Sequence, residues 1–415
     1  MASKLPVIIV GAGVVGLTLA QSLQKEGIPF EIYERGTHIE RAKGWGITIH
    51  WALPALKVCL PPAMYERLST IQVDPEEGRR NNGRFVFLDL STAEARYEIP
   101  PSERLRINRL KFRSLLAEGL DVNWGKQISG FDSLGDCVQV KFTDGTLTKG
   151  SLLVGADGSG SRTRRLLVGD EVGKLYQLPV RFIGVTIRLT PGEVKPLRDI
   201  DPLLFQGCHP DTGAYLWYST LSTPEVNGSN GIDEYYEGQL NMSWIVKSPA
   251  DEVPASNSEK ITRMKDMARG FESRLKQIIE KIPQDAEVIE IKLQDWPTLS
   301  WPTYNGRVTL VGDAAHAMTM YRGEAANHGI TDAARLTEQL QDVGRGMIPQ
   351  REAVIKYESE MRPRAHDAVL LSRQACLDAH DLNSLTPDSP LVSKRAKVRQ
   401  PGVAVKAGTI EGQAG

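Results

Sequence analysis

The sequence predicts an α/β protein: a parallel-sheet domain that carries an inserted antiparallel sheet and is closed by C-terminal helices. Three observations carry this. An apolar run at residues 5–10 leads through Gly11, Gly13 and Gly16, spaced G-x-G-x-x-G, into a helical stretch. Two more apolar runs, at 152–155 and 308–311, each end at a polar turn holding an aspartate. Between them, residues 178–247 are β-rich with interleaved aromatics. Strand alternating with helix points to a parallel sheet; a block of consecutive strands points to a separate antiparallel layer.

Residues 5–35 form a β-α-β unit whose second strand, Phe30 to Glu34, ends eighteen residues after Gly16. Residues 41–50 read as a glycine-punctuated loop entering a strand, 53–70 as helical and 84–99 as a half-buried strand pair. An amphipathic helix follows at 110–120, then a meander from Val122 to Gly155 with a hairpin turn at Asp144-Gly145. After the β-rich block comes a helix at about 258–281, with Ile261, Met264, Phe271, Leu275 and Ile278 on one stripe. Long helices are predicted at 326–342 and 351–380. From 383 the chain is polar and without period, a mobile tail by composition. The resulting domains are 1–176 (with a segment of the second sheet at about 80–100), 177–295, 296–382 with the closing helices, and the tail 383–415.

Composition bounds the function. A length of 415 residues suits two domains or one core with a large insertion. The net charge of −1 gives no case for nucleic acid or an anionic membrane, and no apolar run reaches the length of a spanning helix. The N-terminal apolar stretch lacks a basic flank and holds three glycines, so it does not read as a signal peptide. Cys59, Cys137, Cys208 and Cys376 are scattered without a C-x-x-C pair. They read as buried thiols of a cytoplasmic protein. No His/Cys cluster has metal-ligand spacing.

The glycine turn is a dinucleotide fingerprint. Gly11 permits the tight turn, Gly13 lets backbone approach the pyrophosphate, Gly16 lets helix pack on strand, and Glu34 accepts the ribose hydroxyl. Two later motifs each end a strand with an acid. One is Gly155-Ala-Asp-Gly-Ser-Gly-Ser-Arg-Thr-Arg164; the other is Gly312-Asp-Ala-Ala-His316. Asp157 also reads as a turn residue and Asp313 as a helix cap. As a ligand group, Asp313 stands at a strand's carboxyl end, where open α/β sheets bind ligands.

Together these motifs, with G-x-x-x-N-x-x-x-x-D-A from Gly323 to Ala333, resemble the group A flavoprotein monooxygenases, the FAD-dependent aromatic hydroxylases typified by para-hydroxybenzoate hydroxylase. The resemblance spans about residues 5–375. The stretch Tyr321 to Ile330, with His50-Trp51, is most similar to fungal members that oxidise secondary metabolites. The implied fold is a Rossmann-like FAD-binding domain with an inserted antiparallel β-sheet substrate domain and C-terminal helices. The implied cofactors are FAD and a transient NADPH or NADH, with no second Rossmann domain. By the resemblance, Gly11, Gly13, Gly16, Glu34 and Arg35 hold the ADP half. Arg109 contacts the flavin side, Asp157 supports cofactor contacts, and Asp313 binds the ribityl chain. Gly323, Ala325, Ala326 and Asn327 offer backbone N–H groups to the flavin pyrimidine. Gly46 lies in the loop beside a moving flavin, and Arg181 resembles an arginine near flavin and substrate in indole-oxidising relatives. Oxygen transfer through a flavin C4a-hydroperoxide is the implied chemistry. A small aromatic substrate and O₂ are the implied partners, for a monomer.

The chain departs from the pattern at Ala317 and Met320, where relatives often carry proline, and at Ala325, where they carry glycine. Trp45, Phe205, Trp217 and Trp244 are candidates to wall an aromatic pocket, although aromatics at strand spacing also read as core. His316, His328 and Asp332 read as structural. Two alternatives stay open at this point: a flavin reductase or dehydrogenase of the same fold, and a non-catalytic FAD-binding protein.

Overall fold

The computed structural model describes residues 5–39, 45–80 and 83–393. The core of the first domain is a five-stranded parallel sheet in the order Val308–Leu310, Leu152–Gly155, Val7–Val10, Phe30–Glu34, Val122–Trp124. Its central strand is buried on both faces, as its unbroken Val-Ile-Ile-Val sequence requires. Helix Val14–Lys25 follows directly, so Gly11, Glu34, Asp157 and Asp313 all emerge near the carboxyl edge of one sheet.

The second sheet has seven strands, ordered Ile289–Glu290, Val180–Leu189, Tyr236–Ile245, Tyr215–Ser222, Leu204–Cys208, Phe85–Asp89, Glu94–Ile99. Alternation gives it two different faces. Ile183, Val185, Leu216, Tyr218, Leu240 and Met242 face helices Pro191–Arg198, Asn257–Met267 and Ser273–Glu280 and form one core with them. Phe87, Phe182, Cys208 and Tyr215 face the opposite way, against Tyr321 and the end of helix Gln350–Asp378. A two-stranded ribbon, Gly46–Ile49 paired with Leu105–Asn108, belongs to neither large sheet.

Several expected elements differ in detail. The helical stretch at 53–70 is broken into Leu53–Cys59, Pro62–Glu66 and a 3₁₀ turn Arg67–Ile71, because Pro61-Pro62 cannot continue the first helix. The helix at 258–281 is two helices joined by the turn Ala268–Gly270. The stretch 383–393 is not a free tail. Leu385, Leu391 and Val392 are buried, the Tyr97 hydroxyl donates to the Leu385 carbonyl at 2.6 Å, and Arg322 donates to the Pro390 carbonyl. Its apolar residues are too sparse to show a period, but they fill the space beside Tyr321. Residues 394–415 lie outside the described ones.

Candidate functional site

A cleft opens where the first sheet ends. Gly11, Gly13, Glu34, Arg35, Arg109 and Asp157 line it, together with Arg113 and Arg162. At Gly13 a side chain would meet nothing within 4 Å, so the cleft comes right up to the backbone there. The Glu34 carboxylate accepts from the backbone N–H groups of Ala12 and Gly36, each at 2.8 Å, which fixes it at the rim. The Arg113 guanidinium lies 3.9 Å from Glu34 and donates to the carbonyls of Ala12 at 2.8 Å and Ile39 at 2.7 Å. It locks the glycine turn to the second strand. Arg113 stands one helical turn after Arg109, and that i, i+4 spacing was the available signal for it.

Asp157 lines the cleft, but its carboxylate is occupied. It accepts from Ser161 Oγ at 2.5 Å, from the N–H groups of Arg162 at 2.8 Å and Thr163 at 3.0 Å, and from Thr163 Oγ1 at 3.1 Å. It accepts from the first N–H groups of helix Arg162–Val168, whose N-cap is Ser161, and so shapes the turn Gly158–Gly160. The last arginine of that motif, Arg164, makes the longer connection. Its guanidinium donates to Ser159, Gly173, Asp313 and Ala314 carbonyls and stacks over Trp296. Arg164 therefore fastens the second motif to the third.

Asp313 is half-buried at the start of the short helix Asp313–His316. Among the described residues its carboxylate has no hydrogen-bond donor. Burial pushes its pKa up, against the opposing pull of His316, Arg109 and Arg164. It is thus an acceptor held in place with its ligand positions open.

Beneath it lies a closed network. Asp332 accepts from the Gly312 N–H at 2.8 Å, from His316 Nε2 at 2.6 Å and from Arg364 at 2.8 Å. Arg364 also contacts His328 Nδ1 at 2.8 Å and Glu360. Burial opposes the Asp332 charge, yet His316 and Arg364 hold its pKa below the usual carboxylate range. A depressed acid stabilises the fold above its unfolded-state pKa, about 3.9. That stabilisation is lost as pH falls toward the native value. Asp332→Asn is expected to cost about 3–5 kcal/mol and to remove part of the acid-side fall in stability, measured by denaturant melts between pH 7 and pH 3.

Helix Ala325–Gly344 begins beside Asp313's network, and its first backbone bond is from His328 N–H to the Glu324 carbonyl. The N–H groups of Ala325, Ala326 and Asn327 precede that bond and form the positive end of a 20-residue helix. The left-handed position of the entry falls on Gly323, at φ +64°, while Ala325 is already helical, so alanine there is no obstacle. The Asn327 side chain is fully used: it accepts from His50 N–H at 3.0 Å and Ala52 N–H at 3.4 Å, and donates to the carbonyls of Thr48 and Gly323. It ties the ribbon at 46–49 to the helix start. Gly46 lies in that ribbon with the Arg106 guanidinium packed where a side chain would stand. Arg41 to Gly44 lie outside the described residues.

The aromatic candidates divide by sheet face. Trp217 and Trp45 are half-buried and pack on the cluster around Tyr215 and Tyr321, on the side of the first domain. Phe205 and Trp244 do not belong to a pocket. They belong to the core against the helices, where the Trp244 indole donates to the Asp251 carbonyl at 2.6 Å. Spacing alone could not tell the two faces apart. Arg181 is likewise not at the site. It lies opposite Trp244 in the register and forms two 2.7 Å bonds to Glu252, with its other donors on the carbonyls of Leu178 and Val180. The inner face instead carries Ser243, whose Oγ is 2.8 Å from both Tyr321 Oη and His380 Nε2. His380 Nδ1 lies 2.7 Å from the Cys376 carbonyl. That carbonyl can only accept, so Nε2 accepts from Ser243 and Ser243 accepts from Tyr321. Burial pushes His380 down to about 4, so this clip is neutral.

A cleft with open backbone at Gly13 and Glu34 at its rim, with Asp313 and the start of helix Ala325–Gly344 as separate polar groups of the same domain, fits a long dinucleotide. The residues present fit FAD: Gly11 to Gly16 and Glu34 for its ADP half, Asp313 for its polyol, and Ala325 to Asn327 for the flavin ring. The fold and cleft define a flavoprotein. The chain belongs to the FAD binding domain family, whose pattern matches residues 105–372, and an NAD(P)-binding Rossmann-like domain pattern matches residues 9–45. It is 50% identical over 400 residues to the FAD-dependent monooxygenase dbaB of Emericella nidulans, covering 95% of this chain and 94% of that one. It is 31% identical over 395 residues to the FAD-dependent monooxygenase cctM of Talaromyces islandicus, covering 95% and 97%. The structure of 2,6-dihydroxypyridine-3-hydroxylase from Arthrobacter nicotinovorans superposes with a TM-score of 0.75 at 19% identity, covering 97% of this chain and 100% of that one. That likeness concerns the fold. The chain is an FAD-dependent monooxygenase similar to the fungal group A members of secondary metabolism. No helix among the described residues is long and apolar enough to cross a membrane.

Proposed function

We propose that this monooxygenase uses NAD(P)H and O₂ to insert one oxygen atom into an aromatic or heteroaromatic secondary metabolite, indole-containing ones included. The observation that carries the reading is the junction at Asn327. Its side chain joins a helix start with free N–H groups to the ribbon at 46–49, which borders the aromatic inner face of the second sheet. Bound FAD supplies the redox chemistry: it takes electrons from NAD(P)H, activates O₂ and delivers one oxygen.

The protein's residues do the rest. Glu34 and Gly13 orient the adenosine half, and Asp313 fixes the polyol, so the ring is carried to the helix start. There the N–H groups of Ala325, Ala326 and Asn327 favour negative charge without further reorganisation. Tyr215, Trp217 and Trp45 exclude water on the substrate side. The four cysteines, free and buried, suit a cytoplasmic enzyme, and we take it to act as a monomer.

The test is aerobic incubation of the purified yellow protein with NADPH or NADH and a panel of phenols and indoles, followed by mass spectrometry. A gain of one oxygen in an aromatic product, with matching NAD(P)H oxidation, is the expected result. NAD(P)H oxidation without an oxygenated product across the panel, or yellow protein that does not oxidise NAD(P)H, would contradict it.

A further inference from the structure

At the border between the second sheet and the ribbon, several buried polar groups have no partner among the described residues. Arg106 is 4% exposed. It donates to Thr48 Oγ1 at 2.9 Å and Ser219 Oγ at 2.7 Å, but its Nε is buried with no acceptor. No carboxylate pairs with it among the described residues, and its charged neighbour is a second cation, Arg104. The Trp217 ring lies 5.9 Å from the Arg106 guanidinium, and the Trp217 indole N–H is also buried without an acceptor. Directly opposite Trp217 in the strand register is Asn241, wholly buried, with neither amide oxygen nor amide nitrogen bonded. Asn241 leans across Gly184, where a side chain would lie 2.1 Å from its Oδ1. The missing side chain at Gly184 thus leaves room for the Asn241 amide.

An unpaired buried cation is costly, and each buried polar group without a partner adds about 1–3 kcal/mol. Four such atoms, Arg106 Nε, Trp217 Nε1 and both Asn241 amide atoms, lie on one ribbon and two neighbouring strands. Thr48, which holds Arg106, is also held by Asn327 at the helix start, so this cluster adjoins the flavin region in two bonded steps.

Resting on the proposed aromatic oxygenation, we propose that Arg106, Trp217 and Asn241 form a specificity site for an anionic oxygen on the substrate's aromatic ring. The anion supplies the charge that Arg106 lacks and accepts from the Trp217 and Asn241 N–H groups. The Asn241 oxygen takes a neighbouring hydroxyl. A phenolate and a carboxylate share this chemistry.

The test titrates FAD-loaded protein with resorcinol, benzoate and the neutral ether 1,3-dimethoxybenzene, reading the flavin absorbance change. One or both acidic probes should bind at least about tenfold more tightly than the ether, and which of them binds distinguishes phenolate from carboxylate. Arg106→Gln should weaken the acidic probe by about thirtyfold or more while leaving the ether and FAD content unchanged. Arg106→Lys should restore part of the affinity. If Arg106→Gln does not retain FAD, Asn241→Leu and Trp217→Phe decide: each should narrow the acid-to-ether preference. Equal binding of all three probes, no binding of either acid, or an undiminished preference in the variants overturns the site. Oxygenation of an acidic aromatic at an unaltered rate in Arg106→Gln would leave the monooxygenase reading standing and this site refuted. Arg106-dependent anion binding without any oxygenation would do the reverse.

Discussion

Gly11→Ala and Gly16→Ala are expected to melt several degrees below the native chain and to purify without FAD, whereas Gly13→Ala melts like the native chain and loses only cofactor affinity. The three glycines look alike in the fingerprint but do different physical work. Gly11 has φ +113°, and a side chain there would lie 2.3 Å from the Ala156 carbonyl oxygen. Gly16 has an ordinary backbone, but its side chain would lie 2.0 Å from the Gly11 carbonyl oxygen. Backbone cannot yield as a flexible side chain does, so each substitution should cost about 3 kcal/mol or more, from strain and overpacking together. At Gly13 nothing is within 4 Å, so the protein itself tolerates alanine. If the pyrophosphate approaches Gly13 as proposed, the new methyl stands in its way, and FAD affinity should fall about tenfold or more. Thermal melts of apo and FAD-loaded protein, with flavin content by absorbance, separate the three cases. A Gly13→Ala chain that unfolds early would contradict this division.

Asp313→Ala is the second large effect: FAD binding weakened about 10- to 150-fold, equivalent to about 1.5–3 kcal/mol for a lost hydrogen bond to a charged group. Stability of the apo protein should be unchanged or slightly higher, because the substitution removes a half-buried carboxylate that has no donor among the described residues. The pH dependence adds a second signature. Burial raises the Asp313 pKa, so the carboxylate takes up its proton at a higher pH than an exposed one. A polyol hydroxyl donates better to the charged form. FAD affinity should therefore decline on acidification from above the usual carboxylate range, and Asp313→Asn should abolish that step. Fluorescence titration of FAD release from pH 8 to pH 4 measures both. An Asp313→Ala protein that holds FAD as tightly as the native chain would remove Asp313 from the site.

The parallel sheet and the cleft were legible because their signals are local. An apolar run, a glycine turn and an acid at a strand end are each written in consecutive residues, and the sheet brings the three ends together. The inner face of the second sheet was not legible in this way. Phe205 and Trp217 both sit on aromatic strands, and only the positions of the flanking helices decide which face is core. Arg181 resembles an arginine near flavin and substrate in relatives, yet its side chain is bonded to Glu252. Arg106 carried no signal, since it lies in an ordinary strand; its meaning comes from Trp217 and Asn241, more than one hundred residues away in sequence. Residues 383–393 carry no periodic signal because their isolated apolar residues pack onto a preformed surface. The alanine at 325 looked like a defect in the motif only while the left-handed position could not be assigned to Gly323.

We propose that this chain transfers one oxygen atom from O₂ to an aromatic substrate held between the helix start at Ala325 and the inner face of the second sheet. Turnover under ¹⁸O₂ with NAD(P)H should then place one ¹⁸O atom in the aromatic product and the other in water. Product bearing only solvent oxygen, or O₂ consumed with hydrogen peroxide as the sole product, would contradict it.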